Sequence, residues 1–382
     1  MLYDTIVLGA GSMGLPTAYQ LALRGQKVLL LDQHDVPHVW GSHHGTTRML
    51  RVAYTEGASY VPMAQRARKL WLELEENPVG PSERIFSPVG VVSVLRPTSQ
   101  NNEIESSIKQ YNIPHERLSA DEAHKRWPGL FVPDGHIVYF DPQGGVVFSE
   151  AALRKYKALA QQAGVDFKVI GELEDISLQN HAVSVRFAGA TYAAENLVIT
   201  TGAATRNILK QWFPEWGVPL QPLRKVVGWY GVKRSSNNPY AAEEFPAYSI
   251  ESDTGWYYGF PDFGDGVKVG RHDGGEPCDP ATLDRTIEVG SPEELDLRKF
   301  VQHYLPQTTG SMSSGKVCMY NMTPDEHFVI DKHPQHSNIV LASGFSGHGF
   351  KFASVIGEIV SDLVIGGKST FDLSLFRSNR FS

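Results

Sequence analysis

The sequence has few cysteines, no long apolar run and no excess of basic residues. Its two cysteines, Cys278 and Cys318, are too few for the disulfide framework of a small secreted protein, although one bridge between them stays open. Lys and Arg number 35 against 42 Asp and Glu, and the net charge of −7 argues against a nucleic-acid-binding surface. No apolar stretch approaches the length of a transmembrane helix. We therefore expect a cytoplasmic protein with neither a membrane nor a nucleic-acid partner.

The start of the chain predicts a strand, a glycine turn, a helix and a second strand that ends at Asp32. The pattern G-x-G-x-x-G is met by Gly9, Gly11 and Gly14, with Ser12 and Met13 inside it. In this context glycines permit a tight turn, close approach to a pyrophosphate and close helix packing. Asp32 is positioned to accept a hydrogen bond from a ribose hydroxyl, and an acid there disfavours the 2′-phosphate of NADP. The motif predicts a bound dinucleotide and leaves FAD and NAD open.

A polar cluster follows the second strand, where loops face the ligand crevice of such a sheet. Its members are Gly41, Ser42, His43, His44, Gly45, Thr47, Arg48 and Arg51. Arg48 and Arg51 are three residues apart, so both guanidinium groups point the same way if the segment is helical, and they can then bind an anion or an electron-rich ring edge. The alternative is a solvated basic face, which the neighbouring histidines make a poorer interpretation.

Two further glycine turns follow predicted strands. One is at Gly202, after the apolar run that starts at Asn196, and a plain strand-to-helix connection is its alternative. The other follows the strand 338–343, contains Gly347 and Gly349, and reaches Lys351 at a helix start. Backbone N–H groups and the helix dipole there favour negative charge, such as a carboxylate or a flavin ring edge.

Several other elements are predicted from hydrophobic periodicity and capping. Residues 266–272 alternate as a strand, which places Lys268 and His272 on one face; an exposed polar face is the alternative. Residues 60–75 predict an amphipathic helix, and Ser149 is predicted to cap a helix over 150–163. Residues 191–193 and 196–199 are predicted as separate strands, the first belonging to a hairpin.

The order of these elements predicts an α/β protein with two domains. A Rossmann-like dinucleotide domain is assembled from the discontinuous segments 1–84, 141–220 and 321–382. The segments 85–140 and 221–320 form an inserted α+β domain with a mainly antiparallel sheet, which we expect to bind the substrate.

The chain resembles the family of monomeric sarcosine oxidase and N-methyltryptophan oxidase, which are FAD-dependent amine oxidases, along nearly its whole length. The matching stretches are Gly9–Gly14, Gly41–Gly45 with Thr47 and Arg48, Tyr257–Pro261, Val317–Tyr320, Asp325–Phe328 and Gly344–Ala353. The resemblance implies FAD attached through a thioether to Cys318. It implies no such role for Cys278, which is interpreted as an ordinary cysteine.

The resemblance also implies a reaction. A secondary or tertiary amino acid, foremost sarcosine, would be oxidised by dioxygen to the primary amino acid, formaldehyde and hydrogen peroxide. The implied roles are Arg51 and Lys351 binding the carboxylate, Lys268 promoting the oxygen reaction, His272 lying near the amine, Tyr258 and Tyr320 lining the substrate site, and Arg48 and His44 adjoining the flavin. The simplest expectation is a monomer that needs no partner beyond its amino acid and dioxygen.

The sequence departs from this family at several positions. Thr46 and Val52 stand where members commonly have Asp and His. Ser249 stands where sarcosine-specific enzymes have a bulkier methionine, which predicts a roomier pocket, and Trp256 either refills that space or stacks on a ring. Oxidation of N-methyltryptophan, pipecolate or proline therefore stays open. Two other classes also stay open: a dehydrogenase with a different electron acceptor and a non-catalytic nucleotide-binding module.

Overall fold

A computed structural model describes residues 2–97, 100–179, 182–233 and 237–382. Its strands are β1 (Leu2–Leu8), β2 (Val28–Asp32), β3 (Thr47–Leu50), β4 (Phe86–Ser87), β5 (Val91–Leu95), β6 (Glu116–Leu118), β7 (Ile137–Asp141), β8 (Gly145–Phe148), β9 (Asp166–Val169), β10 (Leu173–Gln179), β11 (Ala182–Phe187), β12 (Ala190–Ile199), β13 (Gln221–Val232), β14 (Ala247–Glu251), β15 (Trp256–Phe260), β16 (Val267–Arg271), β17 (Glu276–Pro277), β18 (Thr308–Met322), β19 (Val329–Lys332) and β20 (Ile339–Ser343). Its α-helices are α1 (Gly14–Leu23), α2 (Val61–Glu76), α3 (Gln100–Tyr111), α4 (Ala120–Arg126), α5 (Ser149–Gln162), α6 (Thr205–Trp212), α7 (Pro292–Tyr304) and α8 (Ala353–Gly366).

The first large sheet has a parallel centre. Its order is β10-β11-β12-β1-β2-β9, with β20 on β12 and β19 on β20. Strand β1 runs parallel to both β2 and β12, and β12 runs parallel to β20. Residues 28–31 of β2 are all buried, which is typical of a parallel strand covered on both faces. Helix α1 packs against α5 and α8 on one side of this sheet.

Strand β12 differs from the prediction of two separate strands. Its first half, residues 190–194, pairs antiparallel with β11, and residues 197–199 pair parallel with β20. The two predicted strands are one continuous strand because both halves also extend the same edge of β1, which pairs with residues 193–199. The prediction of separate strands was wrong, whereas the hairpin and the parallel strand were both confirmed.

The second large sheet has nine strands and is mainly antiparallel. Its order is β17-β13-β16-β15-β14-β5-β7-β6, and β18 pairs with β13; the β5–β14 pair is parallel. Helix α7 covers one face, where Leu297 and Phe300 join a buried cluster with Tyr230 and Tyr257. The mixed α/β class with a second, mainly antiparallel sheet is confirmed. The predicted domain boundaries stay a prediction.

A small sheet, β3-β8-β4, corrects two local predictions. Arg48 lies in strand β3 opposite Val147, so the segment that we considered as a helix is extended. Ser149 does not cap α5; it is the first helical residue, and its N–H donates to the Thr46 carbonyl at 2.8 Å. Both corrections have one cause, because the β3–β8 pairing brings residues one hundred positions apart together. Among the described helices, none has the length and apolar character needed to span a bilayer.

Candidate functional site

The predicted glycine turn lies between β1 and α1 and is tightly packed. Gly9 has φ +98°, a backbone conformation that glycine favours. A Cβ atom on Gly14 would lie 1.8 Å from the Gly9 carbonyl oxygen, and one on Gly9 would lie 2.6 Å from that of Thr200. The turn therefore requires glycine at both positions.

A cleft of about 570 Å³ opens beside this turn. It is lined by most of the residues predicted for the cofactor: Gly9, Gly11, Ser12, Met13, Asp32, Ser42, His43, Arg48, Gly202, Gly347 and Gly349. The three glycine turns thus meet at one cleft, as strand ends of a parallel sheet should. Gly14 lies behind the turn, against the Gly9 carbonyl. Cys318 and Lys351 line a second, smaller cavity, and Gly45 and Thr47 line neither cavity.

The Asp32 carboxylate is hydrogen-bonded to the glycine turn between β1 and α1. Its carboxylate accepts hydrogen bonds from the Ala10 N–H at 2.7 Å and the His34 N–H at 3.0 Å, and His38 Nε2 lies 3.4 Å away. Burial alone would raise the pKa of Asp32, but His38 and these amides lower it below its usual value. The carboxylate is therefore ionised and lies at the wall of the cleft, where a ribose hydroxyl can reach it.

Arg48 holds the polar loop that precedes it. Its guanidinium donates to the carbonyl oxygens of Ser42, His44 and Thr47, each at 2.7 Å. Burial, and next the charge of Arg48, lower the pKa of His44 to about 3. Within the described part of the chain, neither ring nitrogen of His44 has a hydrogen-bond partner. A buried, neutral imidazole with two unpaired polar atoms is suited to contact a bound polar group.

Thr46 and Val52, the two departures from the family pattern, do not line either cavity. Thr46 has φ +63°, a conformation that is rare for a β-branched residue. Val52 is fully buried in the core, and its N–H donates to Asp141 at 2.7 Å. Thr46 and Val52, which replace the Asp and the His of the family, therefore alter the charge behind the cavity walls and not on the walls themselves.

Lys268 is buried between the two large sheets. Its ammonium donates to the carbonyl oxygens of Gly45 and Thr47, at 2.5 and 3.0 Å, and to the Thr47 hydroxyl at 3.0 Å. Its Nζ also lies 4.7 Å from the centre of the Phe260 ring. Burial, and next the charge of Arg48, hold its pKa well below the usual range for lysine. Gly45 and Thr47, predicted to contact the cofactor, are thus the partners of this lysine.

A smaller cavity of about 90 Å³ lies against the first and shares Arg48, Tyr320 and Gly347 with it. Its wall brings together most of the residues predicted for catalysis and substrate binding: His44, Arg48, Arg51, Ser249, Tyr258, His272, Cys318, Tyr320 and Lys351. These side chains come from the small sheet, from the second large sheet and from the turn before α8. The structure therefore joins segments that are far apart in the sequence.

The two predicted carboxylate-binding cations share an acid that the sequence analysis missed. Arg51 Nη2 lies 2.8 Å from Glu56 Oε1 and also donates to the Thr55 hydroxyl at 2.8 Å. Burial alone would raise the pKa of Glu56, but Arg51, His348 and Lys351 hold it well below the usual range. Glu56 is therefore ionised and neutralises one of the two positive charges.

Lys351 is the second cation and is fully enclosed. Its ammonium donates to the Tyr54 hydroxyl at 2.9 Å and to the His348 carbonyl at 3.1 Å. Burial, and next the charge of Arg51, lower its pKa to about 7. The charge of Lys351 is consequently sensitive to pH in the neutral range.

Aromatic side chains, Trp256, Tyr258 and Tyr320, line the small cavity. The indole N–H of Trp256 donates to the Ser249 hydroxyl at 2.5 Å, and the Arg51 guanidinium lies 5.9 Å from the indole ring. Tyr320 donates to the Tyr258 hydroxyl at 3.4 Å. The indole of Trp256 thus lies beside the small Ser249 side chain, and its role in filling the space there stays a prediction.

His272 is between these rings. Its ring centre lies 5.6 Å from that of Trp256 and 5.7 Å from that of Tyr320. Burial lowers its pKa to about 4, with Glu56 opposing and Lys225 adding to the effect. The imidazole is therefore neutral near pH 7 and can accept a proton.

Cys318 is buried and lies on the wall of the small cavity, whereas Cys278 does not line it. Burial raises the pKa of the Cys318 thiol, and the nearby charges of Arg48, Lys268 and Lys225 oppose that effect. Burial has the larger effect, so the pKa of Cys318 lies above the usual value of a thiol, and the surrounding cations limit that rise.

Sequence reasoning missed four residues of this site: Tyr54, Glu56, Lys225 and His348. Of these, only His348 was inside a quoted motif, the run Gly344–Ala353. Tyr54 and Glu56 follow β3 in a stretch with no recognisable pattern. Their roles depend on contacts with residues three hundred positions away, such as the 2.9 Å contact between Tyr54 and His348.

Comparisons with known proteins agree with this arrangement. The DAO family model, described as FAD dependent oxidoreductase, matches residues 4–363. The chain is 42% identical over 383 residues to a monomeric sarcosine oxidase of Bacillus sp. (strain B-0618), covering 99% of this chain and 96% of that one. It is 36% identical to an N-methyl-L-tryptophan oxidase of Salmonella dublin, over the full length of both. An L-proline dehydrogenase from P. horikoshii has the same fold, with a TM-score of 0.85 at 20% identity over 100% of this chain and 98% of that one.

The chain belongs to the DAO family of FAD dependent oxidoreductases. Within it, the protein is a flavoprotein oxidoreductase of the sarcosine oxidase type. The residues present fit FAD: the glycine turn and the ionised Asp32 suit the nucleotide end, and the unpaired nitrogens of His44 suit the polar edge of a flavin ring.

Proposed function

We propose that this protein oxidises sarcosine, or a similarly small N-methyl amino acid, and yields the primary amino acid, formaldehyde and hydrogen peroxide. One observation carries the proposal. A small cavity adjoining the dinucleotide cleft combines two cations, Arg51 and Lys351, with a neutral His272. That set suits a short molecule with a carboxylate at one end and an amine at the other.

The size of the cavity favours the smallest substrates. Its volume is about 90 Å³, less than the roughly 150 Å³ of an engineered apolar cavity that admits benzene. The indole of N-methyltryptophan is larger than benzene, and the indole of Trp256, hydrogen-bonded to Ser249, already forms part of the cavity wall. Oxidation of N-methyltryptophan would require displacement of Trp256. Pipecolate and proline, which carry rings of intermediate size, are weaker alternatives on the same argument.

Different side chains would bind the carboxylate end and the amine end of the substrate. Arg51 and Lys351 bind the carboxylate, with Arg51 able to form a bidentate contact once Glu56 releases it. Tyr258 and Tyr320 line the sides of the cavity. His272 accepts a proton from the substrate ammonium, since only the neutral amine has the lone pair that promotes loss of hydride from the N-methyl carbon. Binding at both ends fixes the orientation of the methyl group.

FAD, when bound, supplies the two-electron redox chemistry and passes the electrons to dioxygen. The oxidised substrate is an iminium ion, and water hydrolyses it to formaldehyde and the primary amino acid. Arg48 and His44 would contact the flavin, and Cys318 would hold it covalently through a thioether. The residues that line the large cleft, among them Gly11 and Asp32, would contact the nucleotide part of FAD.

Lys268 favours an oxidase over a dehydrogenase with another electron acceptor. Its Nζ donates to three oxygen acceptors, and in its protonated form it would place a buried positive charge beside a reduced oxygen species that carries negative charge. A non-catalytic binding module would need neither this lysine nor a buried cysteine at the cavity wall. We further propose that the enzyme acts as a cytoplasmic monomer, since one chain supplies every residue of the site.

The test is a direct assay of purified protein with sarcosine, N-methyltryptophan, proline and pipecolate. We expect hydrogen peroxide and formaldehyde in equal amounts from sarcosine, because one demethylation gives one of each. Proline and pipecolate have no N-methyl group and would give peroxide without formaldehyde. Turnover with an artificial electron acceptor but no peroxide would overturn the oxidase assignment in favour of the dehydrogenase.

Binding of simple carboxylates should depend on the charge of Lys351. The pKa of this lysine in the free enzyme is about 7, so its ammonium is present below that pH and is lost above it. Acetate has no group that titrates between pH 6 and 9, so we expect its inhibition constant to rise by up to about tenfold per pH unit above pH 7. The measurement is competitive inhibition by acetate across this range.

The matched control for this titration is Lys351→Met. Removing the amine should weaken acetate binding at pH 6 and abolish the pH dependence, because Glu56 stays ionised throughout the range. A parent enzyme whose acetate affinity is constant from pH 6 to 9 would contradict the assigned role of Lys351.

A further inference from the structure

Lys225 is a buried lysine that neither the sequence motifs nor the proposed reaction accounts for. It lies in β13 directly opposite Cys318 of β18. On the other side of β13, Val227 pairs with Gly270 of β16 and Arg224 pairs with Glu276 of β17, so Lys225 lies opposite the segment 271–275 that joins these two strands. Residues directly opposite each other in antiparallel strands project from the same face. Lys225 and Cys318 therefore project from the same face of the second sheet, and the segment 272–274 lies against the Lys225 ammonium as the chain leaves β16.

The Lys225 ammonium donates all its hydrogen bonds to backbone carbonyl oxygens. It donates to the carbonyl oxygens of His272 at 2.9 Å, Asp273 at 2.7 Å and Gly274 at 3.1 Å. These three residues come directly after β16, where the chain leaves the sheet. Lys225 is only 5% exposed, and its Nζ lies 5.0 Å from the centre of the Tyr320 ring. An ammonium with three donors and three carbonyl acceptors is satisfied and has no donor left for a substrate.

From this geometry we infer that Lys225 is a positioning residue of the substrate site: it fixes the segment 272–274, and with it His272, and it places a buried positive charge between His272 and Cys318. The inference rests on the proposed function, in which His272 receives the proton of the substrate amine. Lys225 acts through His272 and does not itself touch the substrate.

Charges facing His272 come from several elements. Glu56 favours its protonated form, whereas Lys225 on β13, Arg51 after β3 and Lys351 before α8 disfavour it; Tyr320 on β18 is uncharged near neutral pH. Loss of Lys225 should therefore raise the pKa of His272 from about 4 towards the usual value. The proposed reaction needs neutral His272. When the solution is acidified, the variant without Lys225 should therefore lose activity at a higher pH than the parent does.

The experiment compares Lys225→Met, Lys225→Gln and the control Lys233→Met, all as flavin-loaded protein. Lys233 follows β13, is exposed and also donates to a backbone carbonyl, that of Pro306 at 2.6 Å. The first readout is amide hydrogen exchange over residues 271–276 without substrate. The second is the acid limb of kcat/KM for sarcosine. Glutamine keeps two hydrogen-bond donors but no charge, so it separates positioning from charge.

We expect at least tenfold faster exchange in Lys225→Met, partial recovery in Lys225→Gln, and an acid limb moved to higher pH in both. If the amides of residues 271–276 exchange no faster in Lys225→Met than in Lys233→Met, the positioning role is overturned. An unmoved acid limb would overturn the role of the charge. If Lys225→Met does not fold, the glutamine variant decides both points. If the parent oxidises no N-methyl amino acid, the proposed function fails, and hydrogen exchange still tests the positioning.

Discussion

Replacing Lys268 with methionine should slow the reaction of the reduced enzyme with dioxygen by roughly 10²–10³-fold, the usual cost of removing one preorganised group that stabilises developing charge. Methionine is of similar length and apolar, so it removes the charge while filling the space. Reduction of the flavin by the amino acid should change much less, because Lys268 contacts Gly45 and Thr47 and does not line the small cavity. Stopped-flow measurement of the two half-reactions separates these effects.

Lys316 provides the control for this variant. Its Nζ lies 5.7 Å from the centre of the Trp229 ring, and that of Lys268 lies 5.4 Å from the same ring, but Lys316 is partly exposed. Lys316→Met should therefore affect the oxygen reaction far less, because solvent screens an exposed charge. Equal slowing of both half-reactions in Lys268→Met would show that the lysine maintains the site rather than promoting the reaction with oxygen.

Replacing Cys318 with serine should eliminate covalent flavin altogether. The thiolate is a strong nucleophile near neutral pH, whereas a serine hydroxyl stays protonated and cannot form the thioether. Acid precipitation distinguishes the two states: the flavin of the parent should stay in the protein pellet, and that of Cys318→Ser should be released to the supernatant. The change is small in volume, so the cleft should still bind FAD non-covalently.

Cys278→Ser is the matched variant and should keep its flavin in the pellet. Cys278 is partly exposed and lies outside the small cavity, so its sulfur has no access to a ring bound there. Flavin that remains attached in Cys318→Ser, or that is released in Cys278→Ser, would reject the assignment of Cys318. A parent protein that releases all its flavin on acid precipitation would do the same.

The features that the sequence predicted correctly are mostly those encoded by neighbouring residues. The turn at Gly9 and Gly14 is one example, because its tight packing depends on a few adjacent positions and on the strands that flank it. Helix α2 is another, since its apolar residues recur at helical spacing and seven of them are buried. Local patterns of this kind predict an element before its neighbours are known.

The incorrect predictions concern residues whose conformation depends on distant partners. Arg48 and Arg51 have a spacing that suits a helix, but pairing of β3 with β8 makes the segment extended. Ser149 has the chemistry of a cap, yet its N–H is bound to Thr46 and the helix begins one residue earlier than predicted. Pairing between strands overrides weak local preference in such cases.

The candidate site was predicted in outline and not in its charge balance. Arg51, Lys351 and His272 were identified from resemblance, and the structure brings them to one cavity. Glu56 and Lys225, which determine the charge around them, were not identified. Both are ordinary charged residues in sequence, and only burial and three-dimensional contacts distinguish them from solvated surface residues.

The central position of β12 and β20 has a consequence for synthesis in the cell. Strand β1 needs β12 as its partner, and the wall of the nucleotide cleft includes residues from Gly9 to Phe350. The cleft therefore remains incomplete on the ribosome until nearly the whole chain has emerged, whereas β12, the partner of β1, ends at Ile199, about half-way along the chain. A nucleotide can therefore contact every wall of the cleft only after the turn that contains Gly347 and Gly349 has been synthesised.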